Sequence, residues 1–346
     1  MSIKNDYRER ITQLDNLLLS ILAQRLDIAF RIGEIKRKNN ESIIDTHREE
    51  EVKNLWIKEA IRLGLPVPLV EAILTQIFIY SRLKQVEKFG DPKILFIGYG
   101  KMATNIGSFF SSIGYKVGFT GKDINKAKMS ALNAKGIALP PSEGIEWADL
   151  VFIALRPSAL FSDFFNNIIN KCKGKIVMDI FSVKGEFYDV LASLADKIKF
   201  DYISLHPLFG PLRNPIGETM VLIPHTRNEA IVNHIKTFLL RCGFKVVLTT
   251  RDDHDRIMAL VQVAHHFVIK GLSKFLDKVS RESNINLNDF FTHSLKETLS
   301  TSSKIDDDTF IEIQKKNPYA NKVREEIIRY LIELNEELKN LASLNR

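Results

Sequence analysis

The chain has 346 residues, 45% hydrophobic and 26% charged, with a formal charge of +7, which is room for two or three ordinary globular domains. No apolar run approaches the roughly 20 residues that a membrane span needs, and with no Lys/Arg block or aromatic platform, the excess charge suits small anions better than nucleic acid. Two cysteines, Cys172 and Cys242, and a charged opening, "MSIKNDYRER", fit a cytoplasmic protein with no metal cluster.

From Ile11 the positions Leu14, Leu18, Ile21, Arg25, Ile28, Ile32 and Ile35 alternate gaps of three and four, a heptad-like seam on one long helix. Lys36 follows Arg25 by 11 residues, so the two project only about 20° apart around the helix. Cations on or beside an apolar stripe are costly unless they meet an anion. Arg8 lies 17 residues before Arg25, roughly 25 Å along the axis, and reaches the same ligand only from a second subunit. "NNES" breaks this helix, and "IIDTHREEEV" opens another, with Asp45, Arg48 and Glu49 on one face. Thr46-x-x-Glu49 also reads as a capping box, a purely structural use of Glu49. A third helix, beginning near Leu69, continues its apolar stripe into Ser81 and Gln85, polar residues four apart.

Across residues 4–88, "YRERITQLD", "LAQRLDIAFRIGEIK", "DTHREE" and "SRLKQ" resemble the all-helical class of chorismate mutase. The resemblance implies that Arg25 and Arg48 bind substrate carboxylates, with Arg8 arriving from the partner of an intertwined homodimer. It implies that Lys36 and Gln85 donate to the ether oxygen of the breaking C–O bond. Glu49 and the Asp45 region would hold the ring hydroxyl, and Ser81 would line the pocket. A pericyclic rearrangement of chorismate to prephenate suits such a set, because it needs a compactly held dianion and donors at the oxygen that gains charge.

"EKFGDP" (87–92) reads as a linker. "KILFIGYGKMATNIGSFFSSIGYKVGFTG" then gives strand, Gly-rich turn, helix and strand. Gly98-x-Gly100-x-x-Ala103 is the dinucleotide fingerprint with alanine third, so Gly98, Tyr99, Gly100, Lys101, Met102 and Ala103 are expected around a pyrophosphate. The end of the second strand carries Thr120-Gly121-Lys122 in place of an acid, which favours NADP over NAD; the alternative is Asp123 on the ribose one turn later. Apolar runs at 149–155, 175–180, 201–207, 219–224 and 244–250 predict further buried, mostly parallel strands.

"SLHPLFGP" (204–211) holds His206 extended between a strand and two prolines, either as a structural turn or as an aimed imidazole. Together with "DIFSVKG" (179–185) and "HDRIMALVQVAHHF" (254–267), it resembles prephenate dehydrogenase, over about residues 92–335. The resemblance implies that His206 accepts from the substrate hydroxyl and that Ser182 orients it. Lys184 either holds charge nearby or is simply an exposed turn lysine. In the family a helical arginine clamps a carboxylate; "THSLKETLSTSSK" (292–304) has none, so Lys296 is the nearest candidate, with Arg213 or Arg256 as substitutes. His265 and His266 on the long helix either approach the nicotinamide or read as satisfied core or interface histidines, the second being the plainer reading. In the tail, the apolar residues at 327, 328, 331, 332, 334 and 338 of "REEIIRYLIELNEELKNL" need a partner surface.

The expected architecture is multidomain, α and α/β: a three-helix mutase domain (1–88), a Rossmann-type doubly wound parallel sheet (92–250) and a C-terminal all-helical dimerisation domain (251–346). The expected function is bifunctional, chorismate to prephenate and then to 4-hydroxyphenylpyruvate, in tyrosine biosynthesis. The rivals are a preference for arogenate, or a mutase-like domain kept only as a ligand sensor.

Overall fold

The computed structural model describes residues 3–39, 41, 43–212, 214–283 and 285–344. Three helices lead the chain: α1 (Ile3–Lys38), α2 (Thr46–Leu63) and α3 (Val67–Gln85). α1 has 36 residues, about 54 Å at 1.5 Å per residue. Only its C-terminal half is packed: Ala29 and Gly33 are buried, whereas Ile11, Leu14, Leu18 and Ile21 of the seam stand exposed. α3 crosses at Gly33, where an added Cβ would come 2.8 Å from Gln85 Cγ. Asp45 caps α2 by accepting from Arg48 N at 2.9 Å. The cap thus lies one residue before the expected capping box, and the Glu49 carboxylate is free for another partner.

After an irregular stretch at 86–93 the chain alternates. It runs β1 (Ile94–Ile97), α4 (Lys101–Ile113), β2 (Val117–Thr120), α5 (Ile124–Asn133), β3 (Ile137–Ala138), α6 (Pro141–Trp147) and β4 (Leu150–Ile153). It continues with α7 (Asp163–Ile169), β5 (Ile176–Asp179), α8 (Gly185–Ile198), β6 (Asp201–Pro207), β7 (Thr219–Pro224), α9 (Glu229–Arg241) and β8 (Lys245–Leu248). Among the described residues these strands form one eight-stranded sheet in the order β3-β2-β1-β4-β5-β6-β7-β8. It is parallel from β3 to β6, as the apolar runs predict. β7 departs from this, pairing antiparallel to β6 with His206 opposite Val221, because the described residues between the two strands form no crossover helix. The order reverses between β1 and β4, which opens a crevice at their carboxyl ends. Phe96, Phe110, Phe119 and Phe152 fill one face of the sheet; Val151, Ile153, Val177 and Tyr202 fill the other.

The remaining helices are α10 (Arg251–Met258), α11 (Ala264–Ser283), α12 (His293–Lys304), α13 (Asp307–Lys316) and α14 (Ala320–Leu344). A π-helical turn, Ala259–Val263, joins α10 to α11, and Gln314 Nε2 donates to Val263 O at 2.9 Å. On α14, Ile328, Leu331, Ile332, Leu334 and Leu338 are exposed. No helix among the described residues is long and apolar enough to cross a membrane.

Candidate active sites

The helical spacing brings its cations together. A cavity of about 310 Å³ is lined by Arg25, Lys36, Asp45, Arg48, Glu49, Ser81 and Gln85, with Ile28, Ile32, Val52 and Phe78 as its apolar wall. Arg25 Nη1 donates to Ser81 Oγ at 2.6 Å and Lys36 Nζ to Ile43 O at 3.0 Å. Arg48 donates to Glu51 at 2.8 Å. Burial holds the Arg25 guanidinium below its ordinary value, yet it stays cationic at any ordinary pH. Gln85 Nε2 donates to Ser81 O at 3.2 Å, while its Oε1 is buried without a partner. Arg8 is exposed near the start of α1 and does not line this cavity.

Arg82 also lines the cavity and pairs with Glu49, Nε to Oε1 at 2.7 Å and Nη2 to Oε2. The apolar stripe does not single it out, but the spacing does, because Arg82 precedes Gln85 by one helical turn and so shares its face.

At the other site, β6 carries His206, which is 2% exposed. Its Nδ1 lies 2.8 Å from His254 Nε2, and His254 Nδ1 lies 2.9 Å from Asp255 Oδ1. Asp255 further accepts from Lys184 N (3.2 Å) and Gly185 N (2.8 Å). Burial alone would raise the Asp255 carboxyl, but His254 and these backbone N–H groups outweigh it, so it is held below its usual value and ionised. Burial pushes His254 down, against the pull of Asp255. Burial, then His254 and Lys184, push His206 well below its ordinary value. Both rings are therefore neutral. A carboxylate only accepts, so His254 carries its proton on Nδ1 and accepts at Nε2 from His206 Nδ1–H. His206 Nε2 is left with a free lone pair, and it makes no hydrogen bond among the described residues. In the sequence, the signal for this relay is the adjacent His254–Asp255 pair at a helix start.

Lys184 corrects an expectation. It is no exposed turn residue but 0% exposed, donating to Asp179 Oδ1 (2.9 Å) and to Leu205 O (2.7 Å). Burial lowers its amine against the pull of Asp179. The bond to Leu205 O ties β5 to the residue before His206. Ser182 is half-buried beyond β5 and joins none of these bonds.

Of the candidate carboxylate clamps, Lys296 is exposed on α12, Arg256 is exposed and pairs with Asp253, and Arg213 lies outside the described residues. His266 is not a satisfied histidine: its Nδ1 is buried without a partner, as is Gln262 Oε1 four residues earlier. Burial draws the His266 imidazole down to about 4. His265 is exposed.

The fingerprint turn has the form a dinucleotide needs. A Cβ on Gly98 (φ +127°) would strike Ala154 O at 2.3 Å, whereas one on Gly100 would meet nothing within 4 Å, so the space before the α4 N-terminus is open. No side chain caps α4, and Ala103 is buried against the sheet. The Tyr99 ring packs over Gly121. Lys101 is exposed and Met102 half-buried at the helix start. At the end of β2, Thr120 is fully enclosed with its Oγ1 unpartnered, which corrects its expected contact with the cofactor; Lys122 is the open group. Asp123 is spent as the α5 cap, accepting from Asn125 N and Lys126 N. Among the described residues no cluster of His, Cys, Asp and Glu could hold a metal ion.

The chain is therefore a fused enzyme, an anion-binding helical domain ahead of a nucleotide-binding oxidoreductase. Residues 7–86 match the model of chorismate mutase type II and residues 106–248 that of the prephenate dehydrogenase nucleotide-binding domain, and the chain belongs to the bifunctional chorismate mutase/prephenate dehydrogenases. It is 24% identical over 287 residues to the T-protein of Enterobacter agglomerans, covering 81% of this chain and 71% of the relative. To the T-protein of Haemophilus influenzae it is 23% identical, with 77% and 68% covered. A solved prephenate dehydrogenase from A. aeolicus, in complex with hydroxyphenyl propionate and NAD+, shares the fold at 19% identity and a TM-score of 0.62, over 74% of this chain and 94% of that one.

Proposed function

We propose that the helical cavity rearranges chorismate and that the His206 site oxidises the prephenate so made, with NADP preferred. The observation that carries this reading is the gathering of Arg25, Lys36, Arg48, Glu49, Ser81 and Gln85 in one cavity on the same chain as the His206–His254–Asp255 relay.

In the cavity, Arg25 and Arg48 hold the two carboxylates. Lys36, with Gln85, faces the ether oxygen as the C–O bond breaks and the C–C bond forms, and Glu49 accepts from the ring hydroxyl. Arg8 completes the site from a second copy, and the exposed apolar seam of α1 is the surface on which that homodimer forms. The unpaired face of α14 supplies a further contact between copies.

At the second site, His206 Nε2 accepts the proton of the C4 hydroxyl, and the positive charge is shared along the relay to Asp255. Ser182 orients the hydroxyl and Lys296 is the nearest candidate cation for a carboxylate. NADP, when bound by the Gly98–Ala103 turn with its 2′-phosphate on Lys122, supplies the hydride acceptor. Loss of the ring carboxylate as CO₂ then makes the product aromatic. The two acids of the cluster, Asp255 and Asp179, are both engaged within it, which supports prephenate over arogenate, whose amino group would seek a free acid. Two buried free cysteines support a cytoplasmic setting.

The test is a coupled assay with chorismate as the sole carbon substrate. Reduced cofactor and 4-hydroxyphenylpyruvate should appear with NADP, and prephenate should accumulate without cofactor. Chorismate left unconsumed would overturn the reading of the helical cavity, and prephenate accumulating with NADP present would overturn that of the His206 site.

A further inference from the structure

Arg82 touches both domains. On one side its guanidinium grips both oxygens of Glu49. On the other, its remaining nitrogen faces Gly217: a Cβ added there would lie 2.8 Å from Arg82 Nη1. Gly217 stands at φ +94°, a conformation that glycine adopts without strain. Its N–H donates to Gly243 O at 2.8 Å, which pins the turn to the segment entering β8. This turn belongs to the loop 208–218 that leaves His206.

The joint around it is tight. Val86, at the end of α3, and Ile216 together fill the space beside Gly243. Arg37, next to Lys36, pairs with Glu87 at 2.8 Å and donates to Gln85 O at 3.0 Å, and Arg241 of α9 donates to Arg37 O at 3.5 Å. The ends of α1 and α3 that carry Lys36 and Gln85 are thus clamped to the nucleotide domain.

We propose that Arg82 is a positioning residue of the mutase, and that the Gly217 turn of the dehydrogenase domain is its seat. The inference rests on reading the helical cavity as the chorismate site. A lone glutamate swings about three side-chain bonds, whereas a two-pronged guanidinium fixes both the place and the plane of the carboxylate. The guanidinium is itself held in place because Gly217 has no side chain to displace it. The mutase site is therefore built in part from the dehydrogenase domain.

The test uses the full chain and steady-state kinetics on chorismate. Arg82→Met and Glu49→Gln should each lower mutase kcat/KM about ten- to a hundredfold, as expected for a charge-assisted hydrogen bond, and should split the loss between kcat and KM in the same proportion. The double variant should be no worse than the poorer single one, and Arg82→Lys should recover part of the loss. Gly217→Ala should lower mutase activity in the native background and add nothing to Arg82→Met. Prephenate oxidation should be unchanged in both Arg82 variants. Losses that multiply in the double variant, native mutase activity in Arg82→Met, or equal loss of both activities would overturn the positioning role. A Gly217→Ala effect of the same size in both backgrounds would overturn the seat. If Glu49→Gln alone leaves mutase activity intact, the cavity reading itself fails, and the proposal with it.

Discussion

The helical cavity keeps its charges partly in water, with the Arg48 side chain 69% exposed, whereas the His206 cluster is almost dry, with Lys184 at 0% and His206 at 2%. The wet site gathers several cations side by side, and under the proposed function they share the binding of one dianion, so each can be lost without disturbing the fold. The dry site is an ordered chain of donors and acceptors in which each group sets the protonation of the next, because an unpaired charge there is costly. A dianion to be bound and a proton to be taken thus call for opposite solutions on one polypeptide.

The largest effect is expected in the dry cluster. His206→Asn should cut prephenate oxidation by about 10²–10⁴, the usual range for a proton-transfer group, and leave mutase activity unchanged; native turnover in a dehydrogenase assay would remove His206 from the chemistry. Next, Lys36→Ala should lower chorismate rearrangement by about 10²–10³, as for one donor lost opposite developing charge, with oxidation of added prephenate untouched. Native mutase rates would break the comparison at its other end.

A gentler probe is pH. The folded His206 is held well below its ordinary value, so dehydrogenase kcat/KM should stay flat as pH falls from 8 to about 6.5, the ordinary histidine value, and decline only below it. The unfolded chain takes up a proton near pH 6.5 that the folded one refuses, so the stability is full above that pH and is lost as pH falls from there towards the folded value. A dehydrogenase profile with its acid limb at 6.5 would mean that His206 is wetter than the structure shows. The smallest effect belongs to Lys122→Ala. It should raise KM for NADP about tenfold, the scale of one phosphate contact, and leave KM for NAD unchanged; initial-rate kinetics with both cofactors decide it.

Most of the helical site was legible because its geometry is local. Arg25 and Lys36 share a helix, and Ser81 and Gln85 share another, so the 3.6-residue period alone places each pair. Strands β6 and β7 matched their apolar runs from end to end. What escaped depends on long-range contact. Lys184 read as exposed because its partners, Asp179 and Leu205 O, are brought to it only by the folded sheet. His254 reaches His206 across 48 residues. The capping register at Asp45 and the burial of Thr120 turned on single-residue choices that propensity does not resolve. The antiparallel β7 escaped because a continuous apolar run says that a strand is buried, not which way it runs.

The Lys184–Asp179 pair has a further consequence, for descent. The amine anchors one strand and the carboxylate also receives Tyr202 OH at 2.7 Å and Phe181 N at 2.9 Å, all of them buried. Replacing either partner alone strands the other's charge in the interior. A lineage can leave this arrangement only by changing both residues together, so the lysine and the aspartate should be inherited as a unit.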